Sequence, residues 1–136
     1  VSPVLPSIGG GRTKFQPVYV DDVAMAIVAA MENEKTQGHL YELGGPEVIS
    51  FNGLLRYISG IINRTRCLIS IPFFIANLLG KLAQLMPRPP LTGDQVQLLK
   101  HDNIVSQGAL TFDNLGITPT SFRTVVPRYL SYLKIN

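Results

Sequence analysis

The sequence predicts an α/β fold, and three observations lead to it. A short apolar run, PVYV at 17–20, passes into helical spacing up to Met31; an apolar/polar alternation follows at 39–43; and helical periodicity dominates the rest of the chain. Strand, helix and strand in that order suggest an α/β sheet, and the later helices a second, mostly helical part. The boundary is placed at residue 50, with 1–50 holding the strand and helix elements and 51–136 the helical lobe.

Each element has its own signal. In the first helix Asp21 or Asp22 is available to cap the opening turns, and Val23, Ile27 and Met31 repeat on one face. After the polar link Asn33–Gly38, His39-Leu40-Tyr41-Glu42-Leu43 reads as a strand closed by the turn Gly44-Gly45-Pro46. Ser50 then precedes Phe51, Leu54, Leu55, Ile58, Ile61 and Ile62, an amphipathic helix with its start specified. Cys67–Ile71 favours a strand, and its apolar setting predicts a buried structural thiol at Cys67.

Pro72 suits the first turn of a helix running to about Met86, because the N–H it lacks would be unpaired there anyway. Asn77, Lys81 and Gln84 form one narrow polar stripe on it, so it needs cover on several sides, from the core or from a partner or membrane surface. It is shorter than the roughly 20 apolar residues of a membrane span and carries Lys81 centrally. MPRPP ends it, and Thr92-Gly93-Asp94-Gln95 matches a capping box for a short helix to Lys100. After the loop His101–Leu110 comes a last helix, capped by Ser121 or Thr120, with Phe122, Val125, Val126, Tyr129, Leu130 and Leu133 on its buried face. Pro127 lies opposite and bends that helix around the core.

Composition narrows the function classes. Of 136 residues 46% are apolar and only 15% charged, against about 25% charged in ordinary soluble domains. The expectation is that some apolar surface is normally covered, by missing polypeptide in preference to lipid, and that exposed interface favours self-association. The opening VSPVLPS reads as a cut edge. Twelve basic and nine acidic residues give a net charge of +3, but the basic ones are scattered, which argues against nucleic acid. A single cysteine, and two histidines without companions at metal spacing, leave no metal site to propose.

The run GGGRTKFQPVYVDDVA holds the most chemistry. Phosphate loops feed a helix N-terminus, whereas here an extended FQPVYV follows the glycines, so they read as a tight turn. Neither glycine-rich nucleotide pattern occurs, and no nucleotide is expected to bind to this chain by itself. Ser50, Thr92 and Ser121 read as helix caps, not nucleophiles.

That run, together with HLYELGGPEVIS, TGDQVQLLKHDNIV and LGITPTSF, resembles the C-terminal part of extended short-chain dehydrogenases, in the branch of the NADPH-binding accessory subunits of respiratory complex I. The resemblance spans nearly the whole chain. It implies the last elements of a Rossmann-type NAD(P)-binding domain followed by a small helical lobe, with NADP or NAD held by the full-length parent. It implies as partners the missing N-terminal Rossmann portion and complex I subunits, and a location against the inner membrane on its cytoplasmic or matrix side. Catalytic members pair a tyrosine with a lysine four residues later; Tyr19, Tyr41, Tyr57, Tyr129 and Tyr132 are followed there by Val23, Gly45, Ile61, Leu133 and Asn136, so no catalytic residue is assigned. Asp22 matches the motif aspartate and is expected to fix the helix start and the adjoining loop. Lys14, Gln16 and Tyr19 are expected to line the cleft of the whole protein; Phe15 stands where epimerases tend to carry an arginine for the substrate diphosphate. The alternatives are a fragment of an active reductase or epimerase, and a helical interaction module built on 72–86.

Overall fold

The computed structural model describes residues 4–63, 67–76, 78 and 93–131. It mixes strands and helices, as an α/β chain should, and gathers them into two compact units. Of the described residues, the first takes those up to Lys14 and from Ser50 to Asn103; the second takes Phe15–Ile49 and Ile104–Ser131.

In the first unit β1 (Val4–Ile8) pairs in parallel with a later strand, Cys67–Ile71, Val4 standing opposite Cys67 and Ile8 opposite Ile71. Nothing in the composition of this segment announces a strand. Pro6 fits because a strand with one neighbour has a free edge, where a missing N–H costs no ladder bond. A 3-10 turn, Gly9–Gly11, follows with φ of +60°, +74° and +62°, so the tight turn expected there is present and needs glycine. The chain leaves this unit at β2 (Lys14–Phe15) and returns at β3 (Ile49–Ser50).

α2 (Phe51–Ile61) begins as the sequence predicts, the Ser50 Oγ accepting the Gly53 N–H at 3.1 Å. Asn52 in its first turn receives the Ser7 hydroxyl at 2.7 Å and donates to the Gly10 carbonyl at 2.9 Å, tying strand, turn and helix together. A side chain at Gly11 would strike this Asn52 amide. β4 (Cys67–Ile71) is the strand expected, but Cys67 is exposed; the half-buried positions are Leu68 and Ile71. Of the helix expected from Pro72 to Met86, 73–76 and 78 are helical, Pro72 stands just before them, and 77 and 79–86 lie outside the described residues. α3 (Gly93–Leu98) stops two residues short of Lys100, and its expected cap, Thr92, also lies outside the described residues. Ile8, Ala76 and Val96 form the core, with Ile71, Phe73 and Leu99 against it.

The second unit is built on α1 (Val20–Glu32). PVYV is not a strand, for residues 16–19 adopt no regular structure and Val20 already opens the helix. The helix also buries a different face from the one marked by Val23, Ile27 and Met31: Asp22 and Ala26 are buried, whereas Ile27 and Met31 are exposed. HLYEL contributes only an isolated parallel bridge, Tyr41 to Leu110, with the Glu42 N–H donating to the Leu110 carbonyl at 2.9 Å. A 3-10 turn at Phe112–Leu115, which sequence periodicity passes over, buries Phe112 against α1. Thr111 and Asn114 cap it reciprocally, and Gly116 ends it at φ +70°. α4 (Phe122–Leu130) has Ser121 as its cap and Pro127 inside it; Phe122 is buried, Tyr129 is exposed contrary to expectation, and Leu133 lies outside the described residues.

Candidate functional site

In the second unit, the start of α1 meets the loop that leads into α4. Asp22 is 1% exposed, so its carboxylate needs partners, and both oxygens have one. Oδ2 accepts the Thr120 N–H at 2.5 Å and Oδ1 accepts the Thr120 hydroxyl at 3.0 Å. The motif aspartate thus holds a loop that lies 98 residues away in sequence. Its place in the first turn of α1 also puts negative charge at the positive end of the helix dipole.

Beside this junction lies an open pocket of about 420 Å³ lined by Tyr19, Thr120, Thr124, Val125, Arg128 and Tyr129. Tyr19 is the residue immediately before α1, and its hydroxyl donates to Asp21 Oδ2 at 2.5 Å. That bond, and then the neighbouring Tyr129 hydroxyl, raises the Tyr19 pKa above the ordinary tyrosine range, because ionisation would forfeit the hydrogen bond donated to Asp21 and set a second negative charge beside its carboxylate. Thr120, Thr124 and Arg128 recur every fourth residue; that polar spacing was the available signal for this wall, obscured by the apolar residues interleaved with it.

The loop into α4 has a second fastening. Glu47 receives the Ser121 hydroxyl on one oxygen and the Arg123 Nε on the other, the latter at 2.6 Å. The Ser121 hydroxyl first, and then Arg123, hold the Glu47 carboxyl below its ordinary pKa. Ser121 is the cap that the sequence predicts, its Oγ also accepting the Arg123 N–H at 3.1 Å, whereas no local signal points to Glu47.

The other two anticipated cleft residues behave differently. The Gln16 amide is spent on backbone, donating to the Gly45 carbonyl at 2.8 Å and accepting the Val105 N–H at 3.0 Å. Lys14 belongs to the first unit; its N–H donates to Asp102 Oδ1 at 2.8 Å and its side chain is exposed. Tyr19 and Asp22 are therefore gathered around Thr120, while Gln16 fastens a different part of the same unit.

A dinucleotide would need a glycine turn opening onto a helix N-terminus. Here the glycine turn runs on towards the strand Lys14–Phe15, the Gly10 carbonyl is occupied by Asn52, and any side chain at Gly9 would meet the Phe73 ring. These residues do not fit a pyrophosphate. Among the described residues, no group of three or more His, Cys, Asp or Glu side chains is placed to hold a metal, and no helix is long and apolar enough to cross a membrane.

No protein-family model matches the chain. Individual relatives do. It is 40% identical over 125 residues to the mitochondrial NADH dehydrogenase (ubiquinone) 1 alpha subcomplex subunit 9 of Arabidopsis thaliana, covering 85% of this chain and 31% of that protein. The mouse protein of the same name is 32% identical over 112 residues, covering 82% of this chain and 30% of its own length. The NADH-ubiquinone oxidoreductase 40 kDa subunit of Neurospora crassa is 26% identical over 128 residues, 93% of this chain and 34% of that one. Among solved structures, the crystal structure of gox2253 superposes with a TM-score of 0.58 over 96% of this chain and 39% of that chain; at 21% identity this likeness concerns the fold alone. The chain spans about a third of the length of the curated relatives it matches. It is thus a homologue, over that third, of the NADH-ubiquinone oxidoreductase subunits named alpha subcomplex subunit 9 and 40 kDa subunit, and belongs to their family.

Proposed function

We propose that the chain is the C-terminal portion of a complex I accessory subunit and contributes structure, not catalysis, to that assembly. The 40% identity to the Arabidopsis subunit across 85% of the chain is the observation that supports this most strongly. The geometry is in keeping with it. The polar side chains at the junction are engaged in fastening backbone, as Asp22 does to Thr120 and Gln16 to Gly45 and Val105, and the chain carries no tyrosine with a lysine four residues on.

In this reading the parent is a Rossmann-type protein that holds NADP or NAD on polypeptide preceding this chain. The chain supplies the last strand and helix elements and a helical lobe, and Tyr19 and Lys14 face the cleft of the whole protein. The parent works against the inner membrane, on the matrix side of a mitochondrion or the cytoplasmic side of a bacterium, with complex I subunits as partners. The test is calorimetric titration of NADPH and NADH into this chain and into the full-length Arabidopsis relative. Binding by the relative alone supports the proposal. Tight binding by the 136 residues themselves would overturn it, since a phosphate site would then have to exist within them.

A further inference from the structure

Beside the Asp22–Thr120 junction, the open pocket of about 420 Å³ falls within the size range of small-molecule sites. The donors and acceptors that face it decide what it can take. Two of its hydroxyls have already committed their protons. Thr120 gives its hydroxyl proton to Asp22 Oδ1, and Tyr19 gives its own to Asp21 Oδ2. Tyr19 also resists ionisation, because the bond to Asp21 raises its pKa. Both oxygens therefore meet the pocket as acceptors, and the group that answers them has to be a donor.

The rest of the lining supplies the opposite chemistry. The side chains of Thr124 and Arg128 stand one turn apart on α4 and have no hydrogen-bond or ion-pair partner among the described residues. Helix side chains lean towards the N-terminal end, which carries the Arg128 guanidinium back towards the Thr124 hydroxyl. Together they offer an oxyanion a charged fork and a neutral donor. Arg128 is the one charged residue in the lining among the described residues, so it matches a single negative charge. The Asp21 carboxylate behind Tyr19 opposes a second one. A planar carboxylate fits the guanidinium fork and this charge balance better than a phosphate dianion does. Val125 and the rings of Tyr19 and Tyr129 complete the wall, and they favour a flat apolar body.

We propose that this pocket binds a small hydroxylated aromatic monocarboxylate, its carboxylate on Arg128 and Thr124 and its hydroxyl donating to the oxygen of Tyr19 or Thr120. A nucleotide is a poor match, since it brings several negative charges to one arginine. The site goes beyond the accessory role proposed above, which needs no small ligand here, and it stands or falls separately from that role.

The probe is para-hydroxybenzoate, titrated into the 136-residue chain while amide and arginine side-chain signals are followed by NMR. Saturable shifts should appear at Thr120, Thr124 and Arg128, with a dissociation constant of about 1 mM. Arg128→Gln should weaken binding about tenfold or more, while Lys35→Gln, which removes a cation elsewhere in the same unit, should leave it unchanged. Benzoate, which lacks the hydroxyl, should bind several-fold more weakly, and para-hydroxybenzyl alcohol, which lacks the charge, about tenfold more weakly. Shifts that are absent or unsaturated on the order of 20 mM would overturn the proposal. So would equal binding by the parent and Arg128→Gln, or inorganic phosphate binding as tightly as the probe. Should the chain alone give no dispersed spectrum, the titration is made by calorimetry on a chimera in which it replaces the matching third of the Arabidopsis relative. Binding there that Arg128→Gln abolishes supports the site; no binding by a chimera that melts cooperatively overturns it.

Discussion

Removing the Asp22 carboxylate should loosen the loop that leads into α4. The side chain is 1% exposed and accepts two hydrogen bonds from Thr120, one from backbone at 2.5 Å and one from the hydroxyl at 3.0 Å. Hydrogen bonds to a charged group contribute about 1.5–3 kcal/mol each, and a donor left buried without a partner costs about 1–3 kcal/mol. The Thr120 hydroxyl is only half-buried and can turn to water, so the two contributions do not add in full. Asp22→Ala should therefore cost about 2–4 kcal/mol, and Asp22→Asn, which keeps one acceptor oxygen, about 1–2 kcal/mol. With a urea slope of about 2 kcal/mol per molar, the alanine variant's midpoint should fall by about 1–2 M. The Thr120 amide proton, followed by NMR, should exchange faster in the same variant. A midpoint and an exchange rate both unchanged would refute the claim that Asp22 organises this junction.

Three further outcomes follow from the same unit. Gly45→Ala should destabilise by about 1–3 kcal/mol, because its new methyl would be driven into the Pro17 carbonyl, which as backbone yields little; thermal melting checks it. Gln16→Ala should cost about 1–2 kcal/mol by releasing the Gly45 carbonyl and the Val105 N–H, with faster exchange at Val105 as the local sign. Glu47 has a folded pKa below its ordinary 4.5, because Ser121 and Arg123 favour the carboxylate. Its contribution is present above pH 4.5 and fades as the pH falls through the lower folded value. The melting temperature of Glu47→Gln should accordingly show a shallower acid limb than the parent, and equal slopes would contradict the assignment.

Elements whose signals are local were legible in the sequence. Ser50 before a run of three- and four-residue spacings specified α2, and the residues Cys67–Ile71 specified β4, because cap chemistry and β-branching act on the backbone directly. The buried side of α1 was not legible, since a helix apolar on two sides gives no preference between them. HLYEL alternates as a strand should, yet a strand also needs a partner, and within the described residues Tyr41 finds only Leu110. β1 was missed because the Pro-rich opening read only as a cut edge, whereas one-sided pairing leaves room for Pro6 in a strand.

The site divides in the same way. Tyr19 and Asp22 were visible through the Tyr-Val-Asp-Asp-Val step and the four-residue spacing of Thr124 and Arg128 was masked by the apolar residues between them, whereas Glu47 reaches the loop into α4 only through tertiary packing. The two units are each built from separated stretches, the chain passing between them after Lys14, Ile49 and Asn103, and the last passage follows a polar turn with no distinguishing signal.

If this chain does the work of its third of a complex I subunit, complementation should reveal it. The chimera carrying this chain in place of the matching third would be expressed in Arabidopsis lacking its own subunit, and assembled complex I resolved on native gels. Assembly should be restored, with the chimera migrating in the complex. A chimera that accumulates as folded protein while complex I remains unassembled would contradict the accessory role proposed for this chain.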